Sequence, residues 1–205
     1  MTTRLLLAPL ALALLAGCAG SPERPRPGPA AAAAPAPPAS ASDVALLASP
    51  DFVVRSRAAE RLVDGGEASL PALGAAGAMT VSAPGSSRVE ATRPVIEAIL
   101  ANTPAEKLPA HLESPWPVVR RGAAEEIGRR GLWSPIPALI ARLEDADPSV
   151  RNAASSALRR LTNQFIGPAS PGRRWECIAA AARWREWWQV EGRQRAAERR
   201  PGGSG

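Results

Sequence analysis

Apolar and small residues recur at every fourth position in three segments that align without gaps. Val54, Ala58 and Leu62 form the first set, Val119, Ala123 and Ile127 the second, and Val150, Ala154 and Leu158 the third. Spacings of four and eight put each set on one face of an α-helix. The alanines let a neighbouring helix approach closely, and the larger residues fill the space between. An arginine follows the valine each time, at Arg55, Arg120 and Arg151. A degenerate copy runs from Val89 to Leu100, with Arg93-Pro94 in place of the small face residues. Gly65-Gly66 and residues 74–87 predict a loop or a poorly formed second helix there.

Helix starts punctuate the pattern. Ser49-Pro50, Ser114-Pro115 and Asp147-Pro148 each place a cap residue before a proline. The cap side chain satisfies free N–H groups, and proline suits a first turn because its missing N–H is not needed there. Thr103-Pro104-Ala105-Glu106, a capping-box pattern, and Ser134-Pro135 predict two further starts. The aligned valines lie 65 and 31 residues apart, so the first interval holds two periods. A helical period of about 30–35 residues predicts an α-solenoid. The expected fold is all-α: a short right-handed α-solenoid of about four helical hairpins over residues 43–165.

Beyond the repeats, Trp175 to Trp188 reads as one more helix, with Cys177, Ala181, Trp184 and Trp188 on one face. Residues 166–191 are therefore expected to cap the stack, because a terminal repeat would otherwise expose its apolar side. Residues 192–205 are expected to form a disordered tail.

The segment Asp147-Pro148-Ser149-Val150-Arg151-Asn152-Ala153-Ala154 and its two sisters resemble the short bacterial form of the HEAT repeat, over about residues 43–163. Leu161-Thr162-Asn163-Gln164-Phe165-Ile166-Gly167, followed by a helix ending Trp-x-x-Trp-Trp, is similar to the terminal cap of such proteins. That pattern commonly carries Thr-Gly and Phe-Gly pairs, where this chain has Asn163 and Ile166-Gly167. The resemblance implies that Arg55, Arg120 and Arg151 form an inter-repeat ladder, each bonding carboxylates or helix-end carbonyls of the neighbouring repeat, with Asp51, Asp145 and Asp147 as candidate partners. A row of arginines lining a binding surface is the alternative. For Trp184, Trp187 and Trp188, the same resemblance implies core and cap. The alternative is an exposed platform for a glycan or a protein.

The N-terminus has a different pattern. Residues 5–16 are an uncharged apolar run of 12 following Arg4. That is the length of a signal-peptide core, short of the roughly 20 residues a membrane span needs. Leu15-Ala16-Gly17-Cys18 closes it and resembles a bacterial lipobox. The resemblance implies a signal peptide over 1–17, cleavage between Gly17 and Cys18, and a covalent diacylglycerol and N-acyl lipid on Cys18. Ala19, rather than aspartate, implies an outer-membrane address facing the periplasm over an inner-membrane one. Residues 18–42, rich in Pro, Ala and Ser, cannot bury a core and read as a disordered tether. At about 3.1 Å per residue it spans on the order of 70 Å.

Charge changes the picture little. The net charge is +6, but residues 43–165 carry 14 basic and 14 acidic side chains. The excess sits at the ends, +4 of it in residues 166–205. A nucleic-acid binder concentrates positive charge on its folded face, so nucleic acid is disfavoured as a partner. With Cys18 lipidated, Cys177 is the one thiol left, and His111 is the single histidine. No metal site, disulfide or Cys–His pair is expected, and no phosphate-loop, zinc-protease or nucleophile-elbow motif occurs. The expectation is a monomeric, non-catalytic scaffold without a cofactor, anchored in the bacterial envelope and holding an unidentified envelope protein on a concave face. Two alternatives are a module binding peptidoglycan or anionic glycan through the terminal Trp and Arg residues, and an accessory subunit of an envelope enzyme.

Overall fold

The computed structural model describes residues 41–78, 87–167 and 173–199, and among these it is helical with no strand. The expected signal peptide, Cys18 and nearly all of the tether lie outside the described residues. The helices are α1 (Ala41–Leu46), α2 (Phe52–Asp64), α3 (Leu70–Ala78), α4 (Ser87–Asn102) and α5 (Leu108–His111). They continue as α6 (Pro117–Arg130), α7 (Ile136–Arg142), α8 (Pro148–Thr162), α9 (Arg174–Trp187) and α10 (Arg193–Glu198). A 3₁₀ turn, Gly66–Ser69, precedes α3, and a π-turn, Trp188–Gly192, joins α9 to α10.

The four helices that carry the repeat pattern form one layer, α2 on α4, α4 on α6, and α6 on α8. The shorter helices cover it: α3 packs on α4 and α6, α5 on α6, and α7 on α8. Helix α9 adds to this second layer by packing on α7. The residues at spacings of four and eight are the core. Ala58, Leu62, Val119, Ala123, Ile127, Val150, Ala154 and Leu158 are all buried. The tightest seam is between α6 and α8. There a Cβ on Gly128 would lie 2.9 Å from the Cα of Ala157, so the two backbones approach as only a glycine allows.

The second repeat is better formed than its sequence predicts. Helix α4 runs 16 residues with Pro94 inside it, and its buried positions are Thr92, Val95, Ile96, Ile99 and Leu100. The set spaced by four is thus Thr92, Ile96 and Leu100, three residues later than the alignment on Val89. Arg93 and Pro94 point away from the core and are exposed. Residues 74–78, expected in a loop or a poorly formed second helix, are the second half of α3. Gly74 serves packing there, because the Trp116 indole occupies the space its Cβ would need. Thr103 does not open a helix. It is buried, and its hydroxyl donates to the Ile99 carbonyl at 2.9 Å, closing α4 instead.

Two corrections concern the chain's end. Trp187, not Trp188, completes the buried face of α9 with Cys177, Ala181 and Trp184. Trp188, half-buried, is the first residue of the π-turn that follows. Residues 192–198, expected in the tail, remain helical. Gly192 packs against both rings, and ion pairs such as Arg195–Glu191 at 2.9 Å support α10. Asn163 takes the left-handed conformation (φ 54°) that ends α8, the place where the related pattern has glycine.

Candidate interaction surface

The repeated arginines share one arrangement, set by a fixed spacing of six residues. Arg55 donates to the carbonyls of Ser49 (2.8 Å) and Pro50 (2.9 Å). Arg120 donates to those of Ser114 (2.9 Å) and Pro115 (3.1 Å). Arg151 donates to those of Asp145 (2.9 Å) and Ala146 (3.0 Å). Each guanidinium thereby satisfies the two carbonyls of the turn that leads into its own helix. In the same turns a side-chain oxygen accepts the amide two residues on: Ser49 from Asp51, Ser114 from Trp116, and Asp145 from Asp147. Asp51 and Asp147 cap α2 and α8 rather than meeting an arginine. Trp116, with Pro117 behind it, stands at the cap of α6, two residues beyond the expected Ser114.

Asp145 differs from Ser49 and Ser114 in carrying a charge, and that charge links two repeats. Both of its oxygens accept from Arg120, at 2.8 and 2.7 Å, and Arg142 lies 3.6 Å away. The side chain is only 3% exposed. Burial alone raises its pKa. The Arg120 and Asp147 hydrogen bonds and the Arg120 and Arg142 charges outweigh burial and hold it below the ordinary value. Glu126 follows the same logic. Burial raises its pKa, and the hydrogen bonds from Arg129 and Arg130 bring it below the ordinary value. Arg130 in turn donates to the carbonyls of Thr103 (2.8 Å) and Leu100 (3.0 Å), fastening α6 to the end of α4.

Both carboxylates therefore bind protons more weakly folded than unfolded. The stability they contribute is present above the unfolded carboxylate range and is lost as pH falls through their lower folded values. Urea midpoints are expected to hold steady near neutrality and to drop below about pH 4. An Asp145→Ser, Glu126→Gln double variant should show a shallower drop. An equal drop in parent and variant would contradict this assignment.

None of the three arginines is free to form a binding row. The surface with room for a partner is a groove along the α2–α4–α6–α8 layer. Its α4–α6–α8 part holds about 670 Å³, with Ala98, Ala101 and Gly122 among its lining residues. Arg93, Glu97, Glu125, Arg129 and Arg160 line it as well. Arg93 pairs with Glu97 at 2.7 Å, and Arg121 lies 3.7 Å from Glu125. The α2–α4 part holds about 340 Å³ and is mostly apolar, lined by Phe52, Ala59, Val63, Pro94 and Val95. Ala98 lines both parts, so the two concavities adjoin on α4. Phe52 is 71% exposed beside the exposed Val53.

The tryptophans divide. Trp184 and Trp187 are buried and meet edge to face at 5.4 Å. They are the core of the cap and form no exposed platform. Trp188 is half-buried. Cys177 is buried. His111 sits at the end of α5 with Nε2 3.7 Å from Glu67. Among the described residues, no group of three His, Cys, Asp or Glu side chains is placed to hold a metal, and no helix is long and apolar enough to cross a membrane. The groove escaped the sequence reading because Arg93 and Pro94 read there as defects in a core pattern. The signal was the four-residue spacing of Arg93 and Glu97, which marks a solvent face.

Comparison with known families places HEAT repeats at residues 105–170, the stretch from the start of α5 past the end of α8. This part of the chain is similar to HEAT repeats. No curated protein and no solved structure matches the chain.

Proposed function

We propose that this chain is a lipid-anchored, non-catalytic scaffold that holds a protein segment in the groove across α2, α4, α6 and α8. The adjoining of the two concavities at Ala98 carries the reading. A segment with apolar side chains at one end fits the Phe52–Val95 part, and alternating charges at the other fit the Arg93–Glu97 and Glu125–Arg129 part. The HEAT repeats support it, since such repeats commonly serve as protein-interaction scaffolds. The lipobox-like Leu15-Ala16-Gly17-Cys18 supports a diacylglyceryl, N-acyl anchor on Cys18, and Ala19 supports the outer membrane facing the periplasm. The partner is then an envelope protein, bound by a monomer at the end of the 18–42 tether.

Two variants test the two halves separately. Cys18→Ser should abolish incorporation of a fatty-acid analogue and release the chain from membranes; equal labelling of the variant would overturn the anchor. Ala98→Arg fills the groove where its two parts meet. It should keep its helicity and lose at least about tenfold of the partner recovered by the parent from crosslinked cells, the loss expected when an anchor contact is blocked. Unchanged recovery would overturn the groove.

A further inference from the structure

A second concave site shares no lining residue with the groove. It holds about 520 Å³ between the α6–α7 turn and α10, within the size range of small-ligand clefts. Its lining includes Leu132, Trp133, Ser134, Trp188, Ala196 and Arg199. Three features build it. Gly131, in the left-handed conformation (φ 70°), ends α6 and turns the chain into Leu132 and Trp133. The π-turn begins at Trp188, and Gly192 is required behind that ring, since a Cβ there would lie 2.5 Å from it. Helix α10 then places the Arg199 guanidinium 4.4 Å from the centre of the Trp133 ring.

The geometry points to a binding site for an acidic saccharide in this cleft. The Trp188 indole lining the cleft suits the C–H face of a sugar ring, while Arg199 covers the Trp133 ring. Arg199 is a planar donor matched to a carboxylate. No lining residue is acidic, and Arg199 already takes the cation position over Trp133, so a cationic ligand is disfavoured. Ser134 adds a hydroxyl that both donates and accepts. A nucleic-acid strand would also stack, but it requires a track of phosphate-binding cations. Arg199 is the one cation lining the cleft, and the repeats behind it are charge-balanced. We assign sugar-ring stacking to Trp188, and anion recognition to Arg199, which Trp133 holds in place.

The test titrates the full-length chain with oligogalacturonate while following tryptophan fluorescence. Saturable quenching is expected that weakens with salt. Dextran oligomers, which lack the carboxylate, should bind at least about tenfold more weakly. Arg199→Gln, at an exposed site that leaves the fold intact, should weaken oligogalacturonate binding by a similar factor. Trp188→Leu should do so too, and Trp175→Ala, at a ring 64% exposed outside the cleft, should not. Equal binding of dextran, unchanged binding by Arg199→Gln, or tighter binding of oligothymidylate than of oligogalacturonate would each overturn the assignment.

Discussion

Asp145→Ala is expected to destabilise the repeats by about 3–5 kcal/mol, the cost of leaving a buried charge without its partner. The charge left behind is Arg120, whose side chain is 12% exposed and meets both Asp145 oxygens. The same substitution removes the acceptor for the Asp147 amide at the start of α8. Serine stands at the matching place in the two other turns, so Asp145→Ser separates the contributions. It retains an acceptor for that amide and should recover about 1 kcal/mol, the usual worth of a cap. It leaves Arg120 unpaired. Urea unfolding followed by circular dichroism gives both numbers. If Asp145→Ala and Asp145→Ser unfold at the parent midpoint, the Arg120–Asp145 pair does not hold the repeats together.

Trp184→Ala is expected to cost about 3–5 kcal/mol, as for a large side chain removed from a packed core. Trp184 is 1% exposed and shares the core cluster with Leu139, Leu143, Ala181 and Trp187. Its removal should loosen α9 from α7 and lower the midpoint of the whole unit. Folded Trp184→Ala should still capture the groove partner, because the groove residues lie on the other layer. Loss of partner binding with unchanged stability would mean that the ring contacts the partner directly.

Much of this arrangement was legible because it rests on short spacings. Val54, Val119 and Val150 with their alanines and aliphatics predict α2, α6 and α8 directly. The six-residue interval from Ser49 to Arg55, Ser114 to Arg120 and Asp145 to Arg151 is one turn plus the start of one helix, and it recurs unchanged. Helix α4 was harder to place. Its first buried position among the described side chains is Thr92, so the apolar pattern is displaced by three residues from an alignment on Val89. The caps of α2 and α6 lie two residues beyond the serines that precede the prolines. Ser49 and Ser114 bond the amide of the next cap residue, while Asp51 and Trp116 occupy the cap itself. The Trp133–Trp188 cleft had no local signal. The two rings lie 55 residues apart, and a π-turn, which no helical periodicity encodes, orients the second.

The two concave sites divide the chain's surface by chemistry. The groove combines an apolar end with paired charges, suited to a protein segment with one face of each kind. The terminal cleft combines indole rings with one cation, Arg199, held over Trp133. Both lie on the unit that the proposed tether, 18–42, would join to Cys18. With such an anchor the scaffold is restricted to partners and polymers within reach of the membrane.

The scaffold reading is tested most directly by placing a photo-crosslinking amino acid in the full-length chain in its own cells. One position is Ala98, where the groove's two parts meet, and the other is the exposed Ala141 on α7. A discrete adduct with one envelope protein is predicted from position 98 and not from 141, and it should be lost when Arg93 and Glu97 are exchanged for each other's charge. No adduct at position 98, or the same adducts at both positions, would contradict it.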